Sequence, residues 1–295
     1  MPREAPYPTR HSRLPRVAWL CSFFLGVLLC GCAQHAVRAE RSRAGSAEAR
    51  VGRHIPSRTG QESLSYVVQL NAALTRIDVQ VCPRGFTIER LNAPSPGAQA
   101  LLEGGKIITP EGDYACPEEG VDLPALKPGE CLHYSLLLPD KSPDPTAFRR
   151  VGADVLASPD LWLWVPTPRP VGVHLRAHFT LPDGVVAELP WPSSGADFEL
   201  PETAFAWKSG GAFTHSAVQP LAAAGAELEL GVLGSGFEHD ADVRNWLVQG
   251  AQTSSLLLGH FPVPRALVLA VPGDRSGPAF GMALRGGGPA VVILL

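Results

Sequence analysis

The chain has 295 residues and sets 25 basic against 28 acidic side chains, a formal charge of −3. So even a balance excludes the electrostatic footprint of a nucleic-acid binder, or of a protein held by charge on an anionic membrane surface. Thirty glycines and 29 prolines, scattered among 45% hydrophobic residues, fit neither collagen nor disorder and describe many short strands joined by turns.

In chain order, Arg3, Arg10, Arg13 and Arg16 form a basic head, and the run from Val17 to Leu29 is almost wholly apolar. The run is roughly fifteen residues, short of the ~20 that span a bilayer as a helix. A charged head before a short apolar segment is the pattern of a secretory signal. Leu29-Cys30-Gly31-Cys32 closes it. This tetrad resembles the lipobox of bacterial lipoproteins, with Cys30 a slight departure at the second position. The resemblance implies that residues 1–31 are removed, that the Cys32 thiol takes a diacylglycerol, and that the new amino terminus is acylated. A thiolate is the nucleophile such a step needs, and three acyl chains exceed what stable anchoring takes. The lipid bilayer is then a partner through Cys32, and the address is the bacterial cell envelope. Ala33 stands where an aspartate retains some lipoproteins at the inner membrane, which favours the outer one. An ordinary signal peptide or an uncleaved anchor is the alternative.

Residues 32–62 are polar, rich in Arg, Ser, Ala and Gly, and without period, as a tether is. From Ser63 the pattern becomes β. Strands are predicted at Ser65–Leu70, Arg76–Cys82, Phe86–Leu91, Lys106–Thr109, Cys131–Leu138, Leu161–Val165, Val171–Leu181 and Val185–Leu189. Val171, Val173, Leu175, Ala177, Phe179 and Leu181 share one face, and Pro182-Asp183-Gly184 is a turn, so 171–189 is expected to be a hairpin. Together these strands describe an antiparallel β-sandwich over 63–205.

Export permits disulfides. On period-two strands Ile77, Val79 and Val81 oppose Cys82, and Leu132, Tyr134, Leu136 and Leu138 oppose Cys131, so both cysteines lie on the polar side. The expected pair is Cys82–Cys131, with Cys116 left over; Cys116–Cys131 is the rival.

After Pro220 the pattern changes to a partial α+β segment, β-α-β-β, over 206–295. Ala226–Leu233 reads as a strand and Asp240 as a helix cap. Val243, Trp246, Leu247, Gly250, Ala251, Ser254 and Leu258 then recur at helical spacing before Gly259. Arg265–Val271, Phe280–Leu284 and Ala290–Leu295 follow as strands. So apolar a final strand leads us to expect a truncated or lost downstream half.

Several chemistries find no support in the residues. The sequence has no His-Glu-x-x-His, no Gly-x-Ser-x-Gly and no phosphate-cradling glycine loop. His174 and His178 lie on one strand, ~13 Å apart, too far for two nitrogens each ~2 Å from one zinc. Glu238-His239-Asp240 fits a helix start better than a metal site. Trp162 and Trp164 on one strand face would suit a sugar platform, but packing explains them better.

The run Gly259-His260-Phe261-Pro262-Val263-Pro264-Arg265, with its strand to Pro272-Gly273, is followed by Phe280-Gly281-Met282-Ala283-Leu284-Arg285-Gly286-Gly287-Gly288. This resembles the segment just upstream of the zinc helix in gluzincin metallopeptidases, nearest the glycyl-aminopeptidase-like branch. The resemblance implies an N-terminal β-sandwich followed by the opening of a thermolysin-like domain. It also implies a glycine-rich edge strand whose backbone pairs with an extended peptide, here Gly286, Gly287 and Gly288; a plain glycine turn is the alternative. Exopeptidase relatives carry Gly-x-Met-Glu-Asn where this chain has Arg285-Gly286-Gly287-Gly288-Pro289, so the glutamate that grips an amino terminus is missing. Zinc is expected only with a downstream catalytic half. The expected protein is a membrane-anchored lipoprotein, catalytically inactive as it stands; the other expectation is a non-enzymatic scaffold or binding lipoprotein that contacts protein or glycan.

Overall fold

Period-two burial builds the first half of the molecule. The computed structural model describes residues 62–295 apart from 118–119, 124–125, 128, 142–143, 170, 224, 235–239 and 274–279. In chain order the strands of the first half are β1 (Ser63–Leu70), β2 (Arg76–Arg84), β3 (Arg90–Asn92), β4 (Lys106–Thr109), β5 (Gly112–Ala115), β6 (Val121–Asp122) and β7 (Leu132–Leu137). Next come β8 (Phe148–Val151), β9 (Asp154–Ala157), β10 (Val165–Thr167), β11 (His174–Thr180), β12 (Val186–Glu188), β13 (Ser193–Ser194), β14 (Asp197–Glu199) and β15 (Ala212–Thr214). The last five are β16 (Gln219–Ala223), β17 (Ala226–Val232), β18 (Arg265–Val271), β19 (Phe280–Leu284) and β20 (Ala290–Leu294). The helices are α1 (Pro96–Ala100), α2 (Pro159–Trp162) and α3 (Asp240–Leu258).

The largest sheet has eight strands in the order β13-β14-β11-β1-β2-β7-β4-β5. Along β1, β2, β7 and β11 every second side chain is buried, among them Tyr66, Val79, Leu136 and Phe179. The sheet is antiparallel except where β1 runs parallel to β11, Ser63 opposite His174. A second sheet, β12-β15-β9-β8, covers its apolar face. Three fully buried indoles, Trp162, Trp164 and Trp191, fill the space with Tyr66 and Tyr134.

The second sheet is itself buried on both sides. In β9 and β15, Val155, Ala157 and Phe213 point into the aromatic core, whereas Leu156 and Ala212 join Leu267, Leu269, Val271 and Val292 of the C-terminal sheet. That third sheet, β16-β17-β18-β20-β19, is parallel across β17, β18 and β20, with antiparallel strands at both edges. Its far face packs Leu230, Val268, Ala270 and Ile293 on Val243 and Leu247 of α3. Hence β18 is apolar at nearly every position: a parallel strand covered on both faces has no polar side to show. Helix α3 buries Val243, Leu247, Ala251 and Ser254, one face at helical spacing. Gly259, at φ +79°, follows it, as a left-handed helix end requires.

The mainly β architecture, a sandwich followed by a smaller α+β part, agrees with the sequence reading, with four differences of detail. The expected hairpin over 171–189 does not form. The turn is present, with the Val185 amide donating to the Pro182 carbonyl at 3.0 Å, but β11 gives its edges to β1 and β14 while β12 crosses to the second sheet. Seven residue pairs with β1 offer β11 more than a three-residue return strand could. Leu161–Val165 is not a strand: Ser158 caps a helical turn with Pro159 at its first position. Phe86–Leu91 is reduced to Arg90–Asn92, because Gly85 at φ +84° turns the chain out of β2. Finally, β15 lies beyond residue 205 yet pairs with β9 and β12, so the second sheet is closed by a strand past the expected boundary.

Candidate functional site

Two places on the described surface gather chemistry, one where the sandwich meets the C-terminal sheet and one on the sandwich beside it. The first is the turn from β19 to β20. Gly286 donates its N–H to the Lys208 carbonyl at 2.8 Å, Arg285 donates to the same oxygen at 3.2 Å, and the Trp191 indole N–H donates to the Gly286 carbonyl at 3.3 Å. A Cβ at Gly286 would overlap the backbone of Trp207, one at Gly287 the Trp191 ring, and one at Gly288 the Pro190 carbonyl. Gly286, Gly287 and Gly288 are therefore the turn, pressed against the sandwich, and not an open edge. Among the described residues this sheet has β16 as one edge and, as the other, β19, paired only with β20. Phe280 stands on it, 42% exposed.

The second place is a cavity of about 430 Å³ on the sandwich side of that turn. Asn92, Leu163 and Arg169 line it, with Asp160 from the start of α2 and Trp207 and Lys208 from the segment that meets the turn. Local chemistry sets each group. The Asn92 amide donates to Thr167 Oγ1 at 2.8 Å, and Arg169 donates to the Phe205 carbonyl at 2.9 Å, fixing the floor. Burial pushes the Asp160 carboxyl up to about 6, opposed by hydrogen bonds from Ser158 and the Ser209 backbone and by the charge of Lys208. Lys208 Nζ lies 3.7 Å from Asp144, outside the cavity. Trp207 is 63% exposed. The set offers an acceptor that titrates, a cation and an aromatic surface, which suits binding. It holds no activated nucleophile.

The remaining sequence candidates are dispersed. Cys32 lies outside the described residues, and so do Glu238 and His239. Cys82, on β2, and Cys131, the residue before β7, are joined as a disulfide, and Cys116 is free and half-buried. His174 and His178 lie on the outer face of β11 near Glu199 and Asp197, at 3.9 and 3.0 Å. Trp162 and Trp164 are core residues. Among the described residues no three His, Cys, Asp or Glu side chains come together as a metal ion would require. Sequence reasoning passed over Asp160, Trp207 and Lys208. The Ser158-Pro159-Asp160 run, a helix-start signal, is what would have drawn attention to the first.

No protein-family model and no curated protein matches the sequence. Among solved structures, the fold is similar to that of the aminopeptidase N family protein from Idiomarina loihiensis, with a TM-score of 0.62 and 12% sequence identity. The similarity covers 78% of this chain and 42% of that one, so the chain spans less than half the length of the protein it resembles. At this identity the likeness is one of fold: a β-sandwich backed by the smaller sheet and its helix.

Proposed function

We propose that the chain is a cell-envelope lipoprotein, anchored at Cys32, that carries the non-catalytic N-terminal part of a peptidase architecture of the aminopeptidase N type. The observation that carries this reading is the joining of the sandwich to a five-stranded sheet with a free antiparallel edge strand, β19, in a fold similar to that protein's. The outer edge of β19, unpaired among the described residues, offers backbone N–H and C=O groups to an extended peptide by strand addition. With no His-Glu-x-x-His in its 295 residues, the chain does not hydrolyse peptides by itself; zinc would belong to a separate catalytic half. A second reading, a binding or scaffold lipoprotein, is favoured by the cavity at Asp160, Trp207 and Lys208. Both readings share the bilayer as partner, the envelope as address and the outer membrane as the favoured site.

The test uses the full chain expressed in a bacterial host fed an alkyne-tagged fatty acid. Wild type should take up the label and sediment with membranes, and Cys32→Ala should do neither; label retained by Cys32→Ala would refute the anchor. The same wild-type protein should hold no stoichiometric zinc and show no chelator-sensitive turnover of a broad peptide library. Amides of β19 should gain hydrogen-exchange protection with extended peptides under the first reading and none under the second.

A further inference from the structure

Glu188 on β12 and Asp154 on β9 are both 3% exposed, at the face where the second sheet meets the C-terminal sheet. Asp154 is fully employed. Its Oδ1 accepts the His215 backbone N–H at 2.9 Å and lies 2.9 Å from His215 Nδ1, and its Oδ2 accepts the Gly234 N–H at 2.7 Å. It thereby ties β9 to the segment that leaves β17.

Glu188 is not so employed. Its Oε2 has no hydrogen-bond partner, and the carboxyl lies so close on the backbone of Gly231, in β17, that a Cβ there would overlap it. Oε1 is 2.8 Å from Thr214 Oγ1, and Thr214 Oγ1 is also 2.7 Å from the Ser216 carbonyl. A hydroxyl carries one hydrogen. Both contacts are hydrogen bonds at once only if Thr214 donates to Ser216 and Glu188 supplies a proton to Thr214 Oγ1. Ionised Glu188 would leave either its own oxygen or the Ser216 carbonyl unpaired in a buried site, with a bare charge on Oε2 as well.

We propose that Glu188 is a proton-operated clasp: its protonated carboxyl holds the C-terminal sheet on the sandwich, and loss of that proton loosens the junction. The groups that face it agree. Asp154 approaches from β9 and Glu229 from β17, and both oppose a further negative charge. The basic side chains of the neighbourhood are engaged elsewhere, His215 by Asp154 and Arg265 by both oxygens of Glu229, at 2.7 and 2.8 Å. Burial, opposed by the Thr214 bond and reinforced by those two carboxylates, pushes the Glu188 carboxyl up to about 7. The folded chain therefore binds this proton more tightly than the unfolded chain. The contribution is complete below the ordinary glutamate range and is lost as pH rises through about 7.

The experiment compares the full-length chain with its Glu188→Gln variant in detergent, by denaturant unfolding from about pH 5 to about pH 8.5. The folding equilibrium constant of wild type should fall relative to the variant on the order of a hundredfold across that range; parallel courses would overturn the clasp. Should the variant fail to fold, 13C-glutamate NMR on wild type decides: one carboxyl carbon titrating near 7 supports the clasp, and all titrating near 4 refutes it. Hydrogen exchange corrected for intrinsic rates should rise with pH at 186–188, 212–216 and 226–234 while β1 and β2 stay protected. Uniform loss of protection would refute a junction-specific role.

Discussion

Tyr134 shows how much of the sandwich rests on single polar atoms inside an apolar core. Its phenol donates to the Trp162 carbonyl at 2.7 Å and accepts the Trp164 N–H at 3.3 Å, while Tyr66 donates to the Trp164 carbonyl at 2.9 Å. Burial holds both phenols well above their ordinary range, so they stay neutral donors. Two hydroxyls thus pin the backbone that carries two buried indoles. Tyr134→Phe removes no volume that matters but leaves the Trp162 carbonyl and the Trp164 amide only the 3.2 Å bond they make to each other, and should cost about 0.5–1.5 kcal/mol in urea unfolding. A loss near zero would show that water replaces the phenol. Gly287 makes a different point. At φ +79° and against the Trp191 ring, it can be nothing larger. Its sequence neighbourhood is nevertheless equally good for an edge strand, because a glycine triplet records only that side chains are excluded, not what excludes them.

Strand parity was the most legible signal at the scale of elements. The inward faces of β2, β7 and the centre of β11 follow from alternation alone, since a half-buried strand has no other way to divide polar from apolar. The Cys82–Cys131 bond is the sharpest case, for it joins adjacent strands on their polar side. It closes a separation of 49 residues, so replacing both cysteines by alanine should lower stability by about 2–4 kcal/mol, measured as a urea midpoint that no longer responds to reductant. What alternation does not carry is partnership. The turn at Pro182–Val185 is real, yet β12 leaves for another sheet, because pairing follows the competition among edges across the molecule and not the nearest turn. The cavity was illegible for a related reason: Asp160 comes from α2 and Trp207 from a segment more than forty residues later, and they meet only in the folded chain.

Among the described residues three of the four sheets and helix α3 form a stack, and the middle sheet is its hinge of stability. Leu156, fully buried, stands on β9 between the aromatic sandwich and the C-terminal sheet. Leu156→Ala should cost about 2–5 kcal/mol. Hydrogen exchange should then show protection lost in β18 and β20 along with β9; loss confined to β8 and β9 would mean that the two parts unfold independently. In the last third β17, the long helix α3 and β18 to β20 were legible, because such elements leave strong periodic signals, whereas β16, with Pro220 inside it, was not. The layering was not, since it depends on which face of β9 meets which neighbour.

The parallel pairing of β1 with β11 has a consequence in time. As the chain emerges amino end first, β1 and β2 can close at once through the turn Asn71–Leu74, where the Leu74 amide donates to the Asn71 carbonyl at 2.9 Å. The other edge of β1 must stay open until residue 174 and beyond have been delivered. A long exposed edge is an invitation to pair wrongly, and contacts so far apart in sequence form slowly. Folding of this chain is therefore a race in which β1, made early, is among the last strands to be satisfied.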